Sequence, residues 1–226
     1  THQRQRPFVL LSYATTLNGM LSIAGQQLAI SNAEHTAIVH GLRGCCEGIV
    51  VGGKTLMCDN PRLNCRLDGG SVNPRVVFAL LGRESARGVA DKLDTLRVMK
   101  NGEGREVVFV MTRAVAEEVG AFGGDVLVVD EEDENGLIDV EKFVEAAREC
   151  YRVKSLMVEG GGKVLGSFLG KQGLVDTAAI CISSSFVTGS EGVRVEPRGN
   201  SNVTEMFKQR SFHGVGKHCV IFVGEN

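Results

Sequence analysis

The stretch SLMVEGGGKVLGSFL, Ser155–Leu169, decides the fold, because its periodicity changes within a few residues. The apolar run Ser155–Val158 is too short for a helix and predicts a buried strand. Lys163–Leu169 has the pattern of a helix, and three glycines separate the two segments. A strand, a glycine turn and a helix in succession are typical of an α/β sheet.

The glycine turn has two interpretations. In the first, free backbone N–H groups and the positive end of a helix meet at Gly160–Gly162, which suits a pyrophosphate. In the second, the glycines only provide positive φ and close packing of helix on sheet. Leu165 stands where the Rossmann pattern G-x-G-x-x-G needs its last glycine, so that fingerprint is excluded. The residues alone favour neither interpretation.

The residue before the glycines, Glu159, is a candidate for ligand binding. A carboxylate at the end of a strand would repel a phosphate in the turn. It would suit a polar, uncharged part of a second ligand, and the alternative is an ordinary surface glutamate.

A second glycine motif, GIVVGGKT at Gly48–Thr55, matches the Walker A pattern literally. We reject a P-loop here, because the apolar run Ile49–Val51 is a strand inside the motif, where an open loop is needed. Gly52-Gly53 nevertheless follows a strand, and ligands bind at such strand ends in open α/β sheets. Lys54 and Thr55 could therefore contact a ligand without forming a P-loop.

Arginines after that strand indicate a phosphorylated ligand. In CDNPRLNCR, Cys58–Arg66, a turn at Asn60-Pro61 is followed by Arg62 and Arg66. Guanidinium groups bind phosphate with two parallel hydrogen bonds. Arg43, at the end of the preceding predicted helix, adds a third arginine. The alternative is that these arginines simply face solvent.

The rest of the chain alternates strands with helices. Apolar runs predict strands at Phe8–Ala14, Gly48–Gly52, Arg75–Leu81, Glu106–Met111, Val126–Val129, Thr177–Ser183 and His218–Val223. Helical patterns predict helices that start at Ser31 or Asn32 and end near Arg43, and others near Ala90–Leu96, at Arg113–Val119 and at Asp139–Tyr151. The last strands lie close together without helices, so we expect an antiparallel pair at one edge.

The first of these helices is expected to have one apolar face. Ala37, Ile38, Gly41 and Leu42 are predicted to face inwards. His35 and His40 are predicted to face solvent, since neither has an acidic or thiol partner at helical spacing that would suggest zinc.

Composition sets the class of protein. The 226 residues are 43% hydrophobic, which predicts one compact domain over residues 1–226. The net charge of −2 gives no basic surface for nucleic acid, and no apolar run is long enough to span a bilayer. The polar start lacks a signal peptide, and the seven cysteines include no C-x-x-C pair. We therefore expect a reduced, intracellular, cytoplasmic protein with no nucleic acid, membrane or metal partner.

Together the motifs resemble the reductases of riboflavin biosynthesis, which have a dihydrofolate-reductase-like fold. The resemblance covers most of the chain up to about residue 180 and leans towards the stand-alone fungal type. No H-x-E with P-C-x-x-C occurs, so the zinc deaminase domain of many bacterial members is missing from this sequence. The resemblance is carried by RPFVLLSYATTLNG (Arg6–Gly19), AISNAEHTAIVHGLR (Ala29–Arg43), GIVVGGKTLMCDNPRLNCR (Gly48–Arg66) and MVEGGGKVLGSFL (Met157–Leu169).

The resemblance implies a fold and a reaction. The fold would be a mixed, mostly parallel sheet flanked by helices with an antiparallel C-terminal edge, in a homodimer. NADPH would transfer hydride to C1′ of 2,5-diamino-6-ribosylamino-4(3H)-pyrimidinone 5′-phosphate and give the ribitylamino product.

The resemblance also implies residue roles. Contacts with NADPH would come from Ala14, Thr15, Ala29, Thr55, Asp59 and Ile138, and from the pyrophosphate seat Gly161, Gly162, Lys163, Val164, Leu165 and Gly166. Contacts with the substrate would come from Gln27, Arg43, Leu63, Arg66 and Glu159, and one arginine would bind its phosphate. Glu159 is also the candidate catalytic residue, assisting the proton shift that opens the ribose.

A departure from the family pattern keeps alternatives open. Phe78–Leu81 replaces a segment that usually carries an aspartate near the NADPH ribose, so NADPH and NADH both stay candidates. Thr112, Arg113 or Arg83 could substitute for that contact. A non-catalytic NADP-binding regulatory module of the same fold is one alternative. A dihydrofolate reductase is another, although that family has an apolar residue where Glu159 stands.

Overall fold

The computed structural model describes residues 6–23, 30, 32–67, 72–100, 104–130, 136–188, 192–195, 207–217 and 219–226. Gln27 and Ala29, predicted to contact substrate and cofactor, lie outside these ranges. So does most of the acidic run after Asp130, which the sequence suggests is a solvated loop.

Strands and helices alternate along most of the chain. The strands are β1 (Phe8–Thr15), β2 (Met20–Ile23), β3 (Gly48–Gly52), β4 (Val76–Leu80), β5 (Glu106–Thr112), β6 (Asp125–Val129), β7 (Ser155–Gly160), β8 (Thr177–Ser183), β9 (Gly192–Arg194), β10 (Gln209–Val215) and β11 (Cys219–Glu225). The helices are α1 (Ala33–Cys45), α2 (Gly53–Asp59), α3 (Arg83–Ala90), α4 (Arg97–Lys100), α5 (Arg113–Val119), α6 (Val140–Tyr151) and α7 (Gly162–Leu169), with a 3₁₀ turn at Leu93–Thr95.

A nine-stranded sheet has the order β10-β11-β8-β1-β7-β3-β4-β5-β6. The strands from β8 to β6 in this order run parallel, and β11 runs antiparallel to both β8 and β10. A separate ribbon pairs β2 with β9. The predicted fold class, a mostly parallel sheet with an antiparallel C-terminal edge, is confirmed.

Helices cover both faces of the parallel strands, and successive strand residues point to opposite layers. Val50 and Phe78 pack in the layer that contains α6 and α7. Their neighbours Ile49 and Val77 pack in the opposite layer, with side chains of α2 and α3. All residues of β3 and β4 are buried, as expected of strands covered on both sides.

The predicted faces of α1 are wrong except at Leu42, which packs against the core. Its start is as predicted, because the Asn32 side chain accepts a hydrogen bond from the His35 N–H at 2.8 Å. However, Ile38 is 39% exposed, whereas His35 and His40 are each only 5% exposed. The helix turns its histidines inwards, and for His40 the reason is a polar loop segment that packs against it.

Two other predictions need correction. Turn signals between Lys54 and Pro74 predict a loop-rich region, but Gly53–Asp59 forms α2, which ends at Asn60 in the left-handed conformation (φ 42°). The helix predicted near Ala90–Leu96 is replaced by α3, which ends at Ala90, and by the 3₁₀ turn. Both helices are short, so their periodicity is too brief to distinguish them from loops.

His35 should make the stability of the fold sensitive to acid. Its Nδ1 is buried without a hydrogen-bond partner among the described residues, and burial lowers its pKa below 6.5. The unfolded chain therefore takes up a proton more readily, and the free energy of unfolding should fall as pH drops below about 6.5. His35→Gln, which cannot titrate, should weaken this dependence in urea unfolding measured at several pH values.

The exposed His213 on β10 offers the control for replacing a histidine as such, since His213→Gln should leave the urea midpoint at pH 7 close to that of the wild type. His40, whose pKa burial also lowers, should account for part of the dependence that remains in His35→Gln. A pH dependence identical in His35→Gln and wild type would contradict this role of His35.

Candidate functional site

The candidate site lies at the carboxyl ends of the parallel strands. β1, β7 and β3 are neighbours in the sheet, so their last residues, Thr15, Gly160 and Gly52, lie side by side. Open α/β sheets bind ligands at this edge. The helices that start here, α2 after β3 and α7 after β7, bring their first turns together.

The geometry of the glycine turn between β7 and α7 fits both interpretations, an anion-binding seat and a tight turn. Gly161, the N-cap of α7, has φ +79° and no side chain to cap the helix. A Cβ on Gly161 would lie 3.2 Å from Thr55 Oγ1, and one on Gly162 would lie 2.3 Å from the Arg194 carbonyl oxygen. The turn is therefore tight, and it also brings the first N–H groups of α7 to the edge of the sheet between Thr55 and β9.

The residues predicted to form the pyrophosphate seat divide into two groups. Lys163 is exposed and Val164 is half-buried, with a methyl group close to Gly52. Leu165 and Gly166 are buried, and the Leu165 N–H already donates to the Gly161 carbonyl. Any anion seat is thus formed by the residues from Gly161 to Val164.

The literal Walker A match has no open loop in the structure. β3 runs through Gly52, and α2 begins at Gly53. The rejection of a P-loop is thereby confirmed, and Thr55 reaches the glycine turn from α2 instead.

An ion pair between Arg43 and Glu159 joins α1 to β7. Arg43 Nε and Nη2 donate to the two carboxylate oxygens of Glu159, each at 2.6 Å. Both side chains are only 12% exposed. The alternatives in which Glu159 is an ordinary surface glutamate and Arg43 faces solvent are therefore wrong. Burial alone would lower the pKa of Arg43, but the hydrogen bonds and charge of Glu159 outweigh it and raise that pKa.

Arg66 is the exposed guanidinium of the site. Its Nη1 donates to Asn64 Oδ1, and its backbone N–H donates to His40 Nδ1 at 3.1 Å. Burial lowers the pKa of Arg66, and so do the charges of three neighbouring arginines, Arg43, Arg62 and Arg97. Such a concentration of positive charge attracts anions.

Several other predicted site residues are less accessible. Leu63 is 2% exposed and adopts the left-handed conformation (φ 53°), so its side chain packs in the core. Ile138 is also a core residue, and the Thr15 hydroxyl contacts the carbonyl oxygens of Thr16 and Met20. Ala14 is half-buried beside β8. Asp59, at the end of α2, is exposed, and partial desolvation of its carboxyl raises its pKa. Their ligand contacts stay predictions.

The apolar segment that departs from the family pattern is buried. Phe78, Ala79 and Leu81 are fully buried, so they provide no polar contact for a ligand. The polar residues proposed as substitutes already have partners. Thr112 caps α5, Arg113 pairs with Asp130, and Arg83 pairs with Glu118.

Sequence reasoning missed His40 and Asn64, which contact the site arginines. His40 precedes Arg43 by one helical turn, and that spacing on one helix face was the available signal. Nothing in the sequence marks Asn64, because its contacts depend on how the loop folds back on α1.

A comparison with families of known proteins matches residues 7–220 to the RibD C-terminal domain. The chain belongs to the RibD C-terminal domain family. The match extends from the residue before β1 to the start of β11 at the antiparallel edge, and it confirms the resemblance found in the sequence.

Relatives in this family carry the name of a reductase. A Saccharomyces cerevisiae protein, 31% identical over 88% of this chain and 81% of its own length, is named 2,5-diamino-6-ribosylamino-4(3H)-pyrimidinone 5′-phosphate reductase. A Methanothermobacter thermautotrophicus protein with the same name is 32% identical, with 82% of each chain covered. Proteins with this name are oxidoreductases.

Solved structures show the same fold. The Saccharomyces cerevisiae riboflavin biosynthesis reductase Rib7 matches with a TM-score of 0.74 and 26% identity, over 100% of this chain and 92% of that one. A Thermotoga maritima deaminase/reductase matches with a TM-score of 0.77 and 24% identity, over 99% of this chain and 58% of that one.

In the described part of this chain, no helix has the length and apolar character to cross a membrane.

Gly162 should tolerate no side chain. In Gly162→Ala the new methyl group would meet the Arg194 carbonyl at 2.3 Å, and backbone cannot move aside easily. The free energy of unfolding, measured with urea, should fall by about 1–3 kcal/mol. Gly41→Ala is the control: its methyl group would meet nothing within 4 Å, and it should stabilise α1 by roughly 0.4–1 kcal/mol. Equal stability of Gly162→Ala and wild type would show that β9 does not pack here.

Proposed function

We propose that this chain reduces the ribosyl group of 2,5-diamino-6-ribosylamino-4(3H)-pyrimidinone 5′-phosphate to the ribitylamino product, with NADPH as reductant. The observation that carries the proposal is a glycine turn and an arginine–carboxylate pair that share β7, at the edge of the sheet where ligands bind. The names of the relatives support the same substrate. The proposal includes a single reductase domain over residues 1–226 and a homodimer, as the family resemblance implies.

The glycine turn fits the pyrophosphate of NADPH. The backbone approaches Thr55 so closely at Gly161 that a side chain would crowd the space between them. The N–H groups at the start of α7 and the helix dipole favour negative charge there. When bound, NADPH supplies the hydride, and the protein holds it and excludes water.

Arg83 and Arg87 support a preference for NADPH over NADH. Both guanidiniums contact one carboxylate, that of Glu118, so the group carries one net positive charge. Arg83 follows β4 at the same edge of the sheet as the glycine turn. The 2′-phosphate of NADPH would pair with this positive charge. The apolar side chains of Phe78–Leu81, in contrast, have no polar group for the 2′-hydroxyl of NADH.

The arginine–carboxylate pair suits the sugar, and Arg66 suits the phosphate. Two of the donors of Arg43 are held by Glu159 and a third by the Asn64 carbonyl, so Arg43 serves mainly to orient Glu159. Arg66 is exposed and keeps donors for a phosphate. Glu159 can accept further hydrogen bonds from substrate hydroxyls through its remaining lone pairs.

The proposed role of Glu159 in the reaction follows from this position. Opening the ribose requires a proton to leave the amino nitrogen at C1′ and another to reach the ring oxygen. A carboxylate fixed by Arg43 can accept the hydrogen bond of the group that loses its proton. The preorganised ion pair does this without moving, since α1 and β7 hold both partners.

The reaction can be tested directly. Purified protein should oxidise NADPH when the diaminopyrimidine phosphate is added, with a lower KM for NADPH than for NADH. Dihydrofolate should give no turnover, because Glu159 stands where that family is apolar. Tight NADPH binding without turnover of either substrate would instead favour a regulatory module.

Glu159→Gln should lower kcat/KM for the diaminopyrimidine phosphate by at least about tenfold, because glutamine cannot take up a proton or accept two charged hydrogen bonds. The dissociation constant of NADPH, measured by fluorescence, should change little. Glu47→Gln, at a half-exposed glutamate that pairs with Arg75 at 3.9 Å, should leave both values unchanged. An unchanged kcat and KM in Glu159→Gln would remove this residue from the site.

A further inference from the structure

His40 connects α1 to the segment Leu63–Arg66, and the proposed reaction does not use it. Its Nδ1 accepts a hydrogen bond from the Arg66 N–H at 3.1 Å, and its carbonyl accepts one from the Cys65 thiol at 3.0 Å. The side chain is 5% exposed. One residue of the helix thus holds two successive residues of the loop.

Asn64 connects the two site arginines to each other. Its carbonyl oxygen accepts a hydrogen bond from Arg43 Nη1 at 3.1 Å, and its side-chain Oδ1 accepts one from Arg66 Nη1. Asn64 is 6% exposed, so both contacts are largely shielded from water. Asn64 therefore links the two guanidiniums directly.

The loop adopts a conformation that needs such contacts. Leu63 has a φ of 53°, in the left-handed region, where a residue with a side chain is strained. Arg105 donates to its carbonyl at 2.8 Å, and Asn73 accepts the Cys65 N–H at 2.8 Å. A strained backbone persists where several contacts determine it together.

We propose that His40 and Asn64 are positioning residues that hold the guanidinium of Arg66 ready for the phosphate of the substrate, at a fixed distance from Arg43. This inference rests on the proposed function. It assigns the specificity for a phosphorylated substrate to a buried helix residue and a buried amide as well as to the arginine itself.

The chemistry of the imidazole fits this role. A ring nitrogen accepts a hydrogen bond only when it carries no proton, so the contact with Arg66 places the ring proton on Nε2. Burial lowers the pKa of His40, and the charges of Arg43 and Arg66 lower it further, while the Asn64 backbone and Glu159 act in the opposite direction. The ring is therefore neutral near pH 7. A guanidinium held in place before binding loses less conformational freedom when the phosphate arrives.

The test uses His40→Ala, His40→Asn and the wild-type chain. His40→Ala removes the acceptor, and the KM for the diaminopyrimidine phosphate should rise roughly tenfold while kcat and the dissociation constant of NADPH stay near wild type. Inorganic phosphate, tested as a competitive inhibitor, should weaken by a similar factor. Asparagine places an amide oxygen close to the position of Nδ1, so His40→Asn should restore most of the affinity.

His35→Ala is the matched control, since His35 lies on the same helix with the same exposure, and its Nδ1 makes no hydrogen bond with any of the described residues. It should lower the urea midpoint without raising the KM. If His40→Ala does not fold, Asn64→Ala decides, because it removes the acceptor for Arg66 Nη1 and leaves α1 intact. A KM unchanged in the folded variants, or raised equally by His35→Ala, overturns the inference.

Failure of the proposed function would be recognised separately. A wild-type chain that does not turn over the diaminopyrimidine phosphate contradicts that function. In that case inorganic phosphate should still raise the Tm of the wild type more than that of His40→Ala, because it binds only the folded chain. Equal shifts in the two proteins would contradict the positioning role itself.

Discussion

The ion pair between Arg43 and Glu159 is the constraint on which the site depends. Removing two charges from water is costly, and the cost is offset only when the geometry satisfies both groups. The two 2.6 Å hydrogen bonds meet that condition, and they fix the end of α1 over the end of β7. With α1 held there, His40 contacts the loop after α2 through Cys65 and Arg66.

The parallel sheet brings together groups that are far apart in the sequence. Thr55 follows β3 and the glycine turn follows β7, yet the two strands are neighbours. Because parallel strands end at the same edge, Thr55 lies close to Gly161, and Arg43 reaches Glu159 on the same strand. The groups proposed to bind cofactor and substrate therefore share β7, with Glu159 directly before the turn.

Local patterns in the sequence predicted much of this arrangement. The apolar run before Glu159, the glycines and the helix after them gave the β7–α7 unit, because each has its own periodicity. The burial of His40 on α1 could not be predicted, because the hydrogen bond that satisfies its Nδ1 in the interior comes from the distant Arg66 N–H. The helix α2 was missed because its glycine start and Asn-Pro end are equally typical of a loop. The substrate contact of Arg43 stays a prediction, and its pairing with Glu159 could not be predicted, because the two residues lie 116 positions apart in the chain.

The contact of Gly162 with the carbonyl of Arg194 has a consequence for the order of assembly. β9 forms the outer wall of the glycine turn, yet it follows the turn in the chain by a helix and a strand. β1, which comes first in the chain, lies between β7 and β8 in the sheet. It can therefore pair on both sides only after these two strands have been synthesised. During synthesis, which proceeds from the N-terminus, the proposed cofactor seat at the glycine turn cannot close until the ribosome has passed Arg194. A chain that stops before β9 would retain the glycines and lack the wall that encloses them.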